Sequence, residues 1–265
     1  MVHGVSRALA WWIPRFDPAQ FQFSVCSLRE PEHAIKVFKE AGIAVTFLSK
    51  GKFDPTTLTA IMDMIDHVKP DVLHLHGNGA TTFGRVAGFM KGIPRLVHEH
   101  SPLPHQPLYQ SLADLVVAPM TTRAVAVSDS VSDFMIHKRH VNPALIDTFF
   151  VGLPIEEFEM PSEAVLDATR QEFGIGRETQ VVVTVGRLDP AKGQIYLLEA
   201  AKAVLAAQPN TRFLIVGDGP DMLSLKARAT GLGIAGRVTF TGYRSDIPAI
   251  YGIADVVAAE GGFGE

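Results

Sequence analysis

Arg187 and Lys192 place two cations in one short turn, in the stretch VTVGRLDPAKGQIYLLEAA over residues 183–201. Val183, Thr184 and Val185 read as the end of a buried strand, and Ile195, Leu197, Leu198 and Ala201 recur at helical spacing. A strand that turns straight into a helix ends at that helix's N-terminus, where unpaired N–H groups and the helix dipole favour phosphate. Arg187 offers a planar fork to phosphate oxygens and Lys192 a mobile point charge, while Gly186 and Gly193 permit close backbone approach. The same residues also suit a plain surface turn whose cations pair with Asp189 or Glu199. Spacing alone leaves both readings open.

Two further strand exits share the design. FLIVGDGPDMLSL (213–225) runs from an apolar strand through Gly217, Asp218, Gly219 and Pro220 into a helix. Asp218 is placed to cap that helix, and Pro220 stands where a missing N–H costs nothing. The glycines would admit the base or ribose of a nucleotide; the competing reading is an ordinary turn. VTFTGYRSDI (238–247) brings Gly242, Tyr243 and Arg244 to the same sheet edge. Three such exits in one half make a composite site.

In the first half the exits carry histidines instead: His74 and His76 in one strand, His98 and His100 in another. Residues at i and i+2 share a strand face, so a four-histidine metal site is geometrically open. It lacks a carboxylate at ligand spacing, and pairing of these rings with backbone is the expectation, with no metal. His100 precedes Ser101-Pro102 and so ends its strand, and HGNGA (76–80) forms another glycine-bearing exit.

The elements that must hold these residues alternate. After an opening helix with Val5, Ala8, Leu9 and Trp12 on one face, strands are expected at 21–28, 43–48, 71–76, 94–100, 123–128 and 147–152, with helices between them. Residues 153–178 turn acidic, contain Pro154 and Pro161 and hold one amphipathic helix. A second alternation follows, with helices at 194–207 and near 221–230. Such alternation implies parallel sheets with right-handed crossovers. The expected architecture is α/β: two Rossmann-like domains, 1–155 and 179–265, joined by a linker at 156–178, with a ligand cleft between them. The chain opens on a helix and closes soon after its last apolar run, which suggests a fragment incomplete at both ends.

Bulk properties narrow the function. The 265 residues carry a net charge of −4, so no global basic field draws nucleic acid. One cysteine, Cys26, allows no internal disulfide, and no apolar run approaches the ~20 residues of a membrane span. A soluble cytoplasmic protein is expected, touching the inner membrane face peripherally if at all.

VGRLDPAKG followed by LLEAA, then LIVGDGP, VTFTGY and ADVV, resembles the glycosyltransferase family 4 group of retaining, nucleotide-sugar-dependent enzymes with the GT-B fold. KPDVLHLHG, GIPRLVHEH, AVAVSDSV and GLPIEEF resemble the landmarks of its acceptor-side domain. The resemblance implies a glycosyltransferase moving a sugar from a nucleotide-diphosphate donor to a glycan, lipid or small-molecule acceptor, as in polysaccharide biosynthesis. It implies that Arg187 and Lys192 hold the diphosphate and stabilise the leaving group, and that His100 approaches the transferred sugar. Gly186, Gly217 to Pro220 and Gly242 to Arg244 would line the nucleotide pocket, with no bound metal or other cofactor. Gly262, Phe263 and Gly264 match the family's Glu-Gly-Phe-Gly, but Gly261 stands directly before them and Glu260, the catalytic candidate, lies one place further back. The family's opening strand with its glycine-rich turn has no counterpart here, nor has its second Glu, and Glu265 does not fit that slot. Competing readings are a nucleotide-sugar epimerase of similar fold and a non-catalytic nucleotide-binding module.

Overall fold

The computed structural model describes residues 2–259 except 31, 53 and 103–105. The chain divides into two compact units, Met1–Leu153 and Pro154–Glu265.

The first unit begins with α1 (Val2–Trp12), whose Ala8 is buried. There follow β1 (Val25–Ser27), α2 (Glu32–Glu40), β2 (Val45–Phe47), α3 (Thr57–Val68), β3 (Leu73–His76) and α4 (Asn78–Met90). The unit closes with β4 (Arg95–Glu99), α5 (Leu108–Val117), β5 (Arg123–Ala126), α6 (Asp129–His137) and β6 (Ile146–Thr148). Strands β3-β4-β5-β6 form a parallel sheet in sequence order. Val97, Ala124 and Ala126 of that sheet pack on Val131, Met135 and Val141. The small Ala pair on β5 lets α6 lie close, and Ser128 caps α6 by accepting from the Val131 N–H at 3.3 Å.

Two expectations are corrected here. β1 and β2 are three residues each and pair only with one another, so among the described residues this half holds two sheets rather than one. The strand expected at 147–152 sits at 146–148: the Phe149 N–H still donates to the Ala126 carbonyl at 2.9 Å, and then the ladder stops. Phe149 and Phe150 beyond it are exposed, an apolar run with no sheet face to bury against.

The second unit contains α7 (Glu163–Glu172), β7 (Gln180–Val185), α8 (Gln194–Ala207), β8 (Thr211–Val216), α9 (Met222–Gly231), β9 (Val238–Gly242), α10 (Ile247–Gly252) and β10 (Val256–Val257). Its four strands are parallel in the order β10-β7-β8-β9. β8 is apolar on both faces because both are covered. Phe213 and Ile215 pack with Leu197, Leu198 and Leu225 of α8 and α9. Leu214 and Val216 face the opposite cluster with Val181, Val183, Ile250 and Ile253. Each such side chain contributes about 1.5–3 kcal/mol on burial. The stretch 156–178, expected as a linker, is integral to this unit: Leu166 of α7 packs against the second cluster and Ile175 is buried within it. The amphipathic helix expected there is α7, and its apolar side is buried in the unit rather than spanning between domains. Among the described residues no helix is long and apolar enough to cross a membrane.

Candidate functional site

The three exits of the second sheet are laced into one structure. The Gly186 N–H donates to the Val216 carbonyl (2.9 Å), Leu188 N–H to Asp218 (3.0 Å), Asp221 N–H to Leu188 (3.1 Å) and Gly217 N–H to Gly242 (2.9 Å). Leu188 is fully buried between them and anchors the turn that carries Arg187. The approach is close enough to require glycine. A Cβ on Gly217, whose φ is +137°, would lie 1.9 Å from the Gly186 carbonyl oxygen, and one on Gly219 would lie 2.2 Å from that of Leu188. These two glycines exist because backbone meets backbone at the sheet edge.

Within this frame Asp189 accepts from the Ala191 N–H at 3.1 Å and sets the short helical turn Pro190–Lys192. Gly193 then precedes α8, which no side chain caps. Buried Gln194 donates its amide to the Arg187 carbonyl at 3.0 Å and pins the turn from inside the helix. Sequence reasoning missed Gln194; its signal was a polar residue at the first helical position beside an apolar stripe. The Arg187 side chain is 44% exposed and lies 3.3 Å from Asp189, an exposed pair of small worth. Lys192 is exposed and makes no ion pair among the described residues. Glu199, the other expected partner, is taken by Arg228 at 2.6 Å.

Two assignments change. Asp218 does not cap α9: its carboxylate accepts from the next residue's N–H, Gly219, at 2.7 Å, and Asp221 stands at the N-cap position. Arg244 is not held out for a ligand. It grips Glu172 of α7 in a two-pronged pair at 2.6 and 3.0 Å and Asp246 at 2.8 and 2.7 Å, which raises its pKa and lowers that of Asp246. It ties α7 to the turn before α10. Tyr243 beside it is exposed at the sheet edge. Glu260, Gly262, Phe263 and Gly264 lie outside the described residues.

In the first unit the four histidines form a ladder. His74 Nε2 lies 3.0 Å from His98 Nδ1, and His76 Nδ1 lies 2.8 Å from His100 Nε2. The rings stack along β4, with His98 and His100 centroids 4.3 Å apart, and Trp12 of α1 covers both at 5.6 and 6.3 Å. The expectation of pairing with backbone is thus corrected: β3 and β4 are parallel and in register at His76 and His98, so rings on one face meet each other first. Burial, reinforced by the neighbouring rings, pushes His74 down to about 4 and His98 to about 3, and holds His76 well below its ordinary value. Burial likewise lowers His100. All four are neutral imidazoles near pH 7.

Beneath the ladder runs a buried ionic network that the sequence did not announce. Asp114 of α5 accepts from Arg85 of α4 at 3.1 Å and from Arg139 at 2.7 Å; Arg139 also donates to Glu99 at 3.0 Å and to Asn78. Arg85, Asp114, Arg139 and Glu99 are all buried. Burial raises the Glu99 pKa and pushes Arg85 down to about 10, each opposed by its partner's charge. Glu99 immediately precedes His100 and Asn78 opens α4 just after His76. The network therefore fixes both histidine-bearing exits.

The chain is 29% identical over 213 residues to the UDP-Gal:alpha-D-GlcNAc-diphosphoundecaprenol alpha-1,3-galactosyltransferase of Escherichia coli, across 77% of this chain and 55% of that protein. It is 32% identical over 161 residues to the D-inositol 3-phosphate glycosyltransferase of Mycobacteroides abscessus, across 58% of this chain and 34% of that protein. The chain thus spans about half or less of the length of these relatives. In structure it resembles Anabaena Alr3699/HepE, solved in complex with UDP and glucose, with TM-score 0.80 and 20% identity over 97% of this chain and 69% of that one. This likeness identifies the fold as GT-B. The model of the glycosyl transferases group 1 family matches residues 166–264, and that of Glycosyltransferase Family 4 matches residues 3–156, more than half of the chain. The chain belongs to glycosyltransferase family 4.

Proposed function

We propose that the protein is a retaining glycosyltransferase that takes a sugar from a nucleotide-diphosphate donor and passes it to a glycan, lipid or small-molecule acceptor. One observation carries the reading: Arg187 and Lys192 stand exposed on a turn that Leu188, Gly217 and Gly219 lock against the neighbouring exits, in front of an uncapped helix N-terminus. That is a preorganised dianion site, with charge-assisted hydrogen bonds available from two side chains and from backbone.

In the reaction the bond between the anomeric carbon and the diphosphate oxygen breaks, and its electron pair leaves with the diphosphate. Arg187 and Lys192 neutralise that developing charge, the electrostatic stabilisation that raises rate. The acceptor hydroxyl oxygen forms the new bond, and its proton passes to the departing diphosphate or to solvent. The Gly217–Pro220 and Gly242–Tyr243 turns serve the nucleoside, and His100 the transferred sugar. The diphosphate needs no metal in this scheme, because the two cations and the helix terminus take that role. The single exposed cysteine suits a reducing cytoplasm, with contact to the membrane only at its surface. The galactosyltransferase's name supports a nucleotide-sugar donor and a diphosphopolyprenol-linked acceptor, and the second relative's name an inositol-phosphate acceptor.

The test is acceptor-dependent release of nucleoside diphosphate. The protein is incubated with UDP-galactose, UDP-glucose or GDP-mannose, with and without a diphosphopolyprenol-linked sugar or inositol phosphate. Release that requires acceptor supports transfer. Conversion of the donor sugar with no acceptor present would replace transfer with epimerisation.

A further inference from the structure

The histidine ladder has an unused capacity. His76 Nε2 is buried and has no hydrogen-bond partner, although its Nδ1 is held by His100 at 2.8 Å. With Nδ1 as donor in that bond, Nε2 carries a lone pair and meets no proton. A buried acceptor left in this state is destabilising until something supplies a partner. His74 and His98 converge on the same place: one ring nitrogen from each of His74, His76 and His98 lies within 4.8 Å of the other two.

We propose that His74, His76 and His98 form a site for a divalent first-row transition metal of the Zn2+ type. Three neutral imidazoles are the ligand set that such ions take, leaving a fourth position open. Metal–nitrogen bonds of about 2.0–2.1 Å put tetrahedral ligand atoms about 3.3 Å apart. His74 Nε2 and His98 Nδ1 are already at 3.0 Å, so rotation of the rings closes the remainder. The outer contacts are in place as well. His100 orients the His76 ring through its second nitrogen, the arrangement that fixes tautomer in metal-bound histidines, and Trp12 stacks on His98 at 5.6 Å. His74 is the most accessible of the three, which gives an ion its way in although its ring is partly desolvated. Spacing alone argued against a metal for want of a carboxylate; the triad supplies three nitrogens and needs none. The three ligands belong to the first unit, apart from the turn of Arg187 and Lys192, and the only residue shared with the proposed transfer is His100, which orients His76.

The experiment uses the whole chain without an affinity tag, stripped with a chelator. Zn2+ binding is measured by equilibrium dialysis, and Co2+ binding by its visible absorption and by quenching of tryptophan fluorescence. The chain's two tryptophans, Trp11 and Trp12, sit together in α1 and report on this location. The expected result is one equivalent of either ion, a tetrahedral Co2+ spectrum and quenched emission. His74→Ala, which removes the most accessible ring, should weaken binding at least about tenfold with unchanged circular dichroism. His67→Ala, an exposed histidine of α3, should leave binding as it was. Absence of stoichiometric binding, or wild-type affinity in His74→Ala, would overturn the proposal and leave the ladder as hydrogen-bonded pairs alone.

Discussion

Gly219→Ala offers the sharpest test of how the second-unit turns are built. The new Cβ would sit 2.2 Å from the Leu188 carbonyl oxygen and 2.7 Å from its carbon. Ordinary C···O contacts begin near ~3.3 Å, so one backbone must retreat by about 1.1 Å. Leu188 is fully buried and cannot yield outward, so the shift passes to Arg187, its neighbour. Overpacking of this kind costs about 1–3 kcal/mol of stability, and a displacement of ~1 Å at a positioning group costs on the order of 100-fold in function. Two readouts are needed: the urea midpoint for stability, and calorimetric titration of UDP at a temperature where the variant is folded. Gly231→Ala is the matched control, since nothing lies within 4 Å of its Cβ and it sits in the last turn of α9. Helix propensity makes that change neutral to slightly stabilising. Gly219→Ala with wild-type affinity for UDP would refute the claim that backbone contact at this edge positions Arg187.

Other predictions follow from single contacts. Arg139→Met leaves the Asp114 and Glu99 carboxylates short of a buried partner, and should cost about 3–5 kcal/mol in urea unfolding; a loss below 1 kcal/mol would remove the network from the account of the first unit. Asp246 has its pKa lowered first by the hydrogen bond from Arg244. Its contribution is therefore complete above the unfolded value of 3.8 and is lost as pH falls below it. The pair is partly exposed, so screening limits its worth to under about 1 kcal/mol. Asp246→Asn should flatten that part of the acid limb of a thermal-stability profile, and an unchanged limb would count against the pair. Gln194→Leu frees the Arg187 carbonyl from its anchor; UDP affinity should fall several-fold, while an unchanged value would make Gln194 a packing residue only.

Much of the fold was legible because two periodicities alternate cleanly. The β7 and β8 runs VVV (181–183) and FLIV (213–216) are apolar throughout, as strands covered on both faces must be, and α8 starts at Gln194 as expected. What escaped the sequence has physical reasons. The amphipathic helix α7 was legible, but the acidic residues and prolines around it read as a linker, because the burial of Leu166 is made only by tertiary packing. The run DTFFVG has strand-forming residues but lacks a neighbour to extend its ladder, so Phe149 and Phe150 fall outside it. Arg85, Asp114 and Arg139 lie 29 and 25 residues apart in pairs, and no local spacing marks a contact made only by tertiary packing. Arg244 resembled a ligand-facing cation because its partner Glu172 is 72 residues away.

The central claim is that Arg187 and Lys192 bind a diphosphate, and calorimetric titration of UDP into the whole chain tests it most directly. Each charge-assisted contact is worth about 1.5–3 kcal/mol, so Arg187→Ala and Lys192→Ala should each weaken binding by roughly 10- to 150-fold. Both side chains are exposed, and the melting temperature of the unliganded protein should not move. No UDP binding by the wild-type chain, or wild-type affinity in both variants, would contradict the claim.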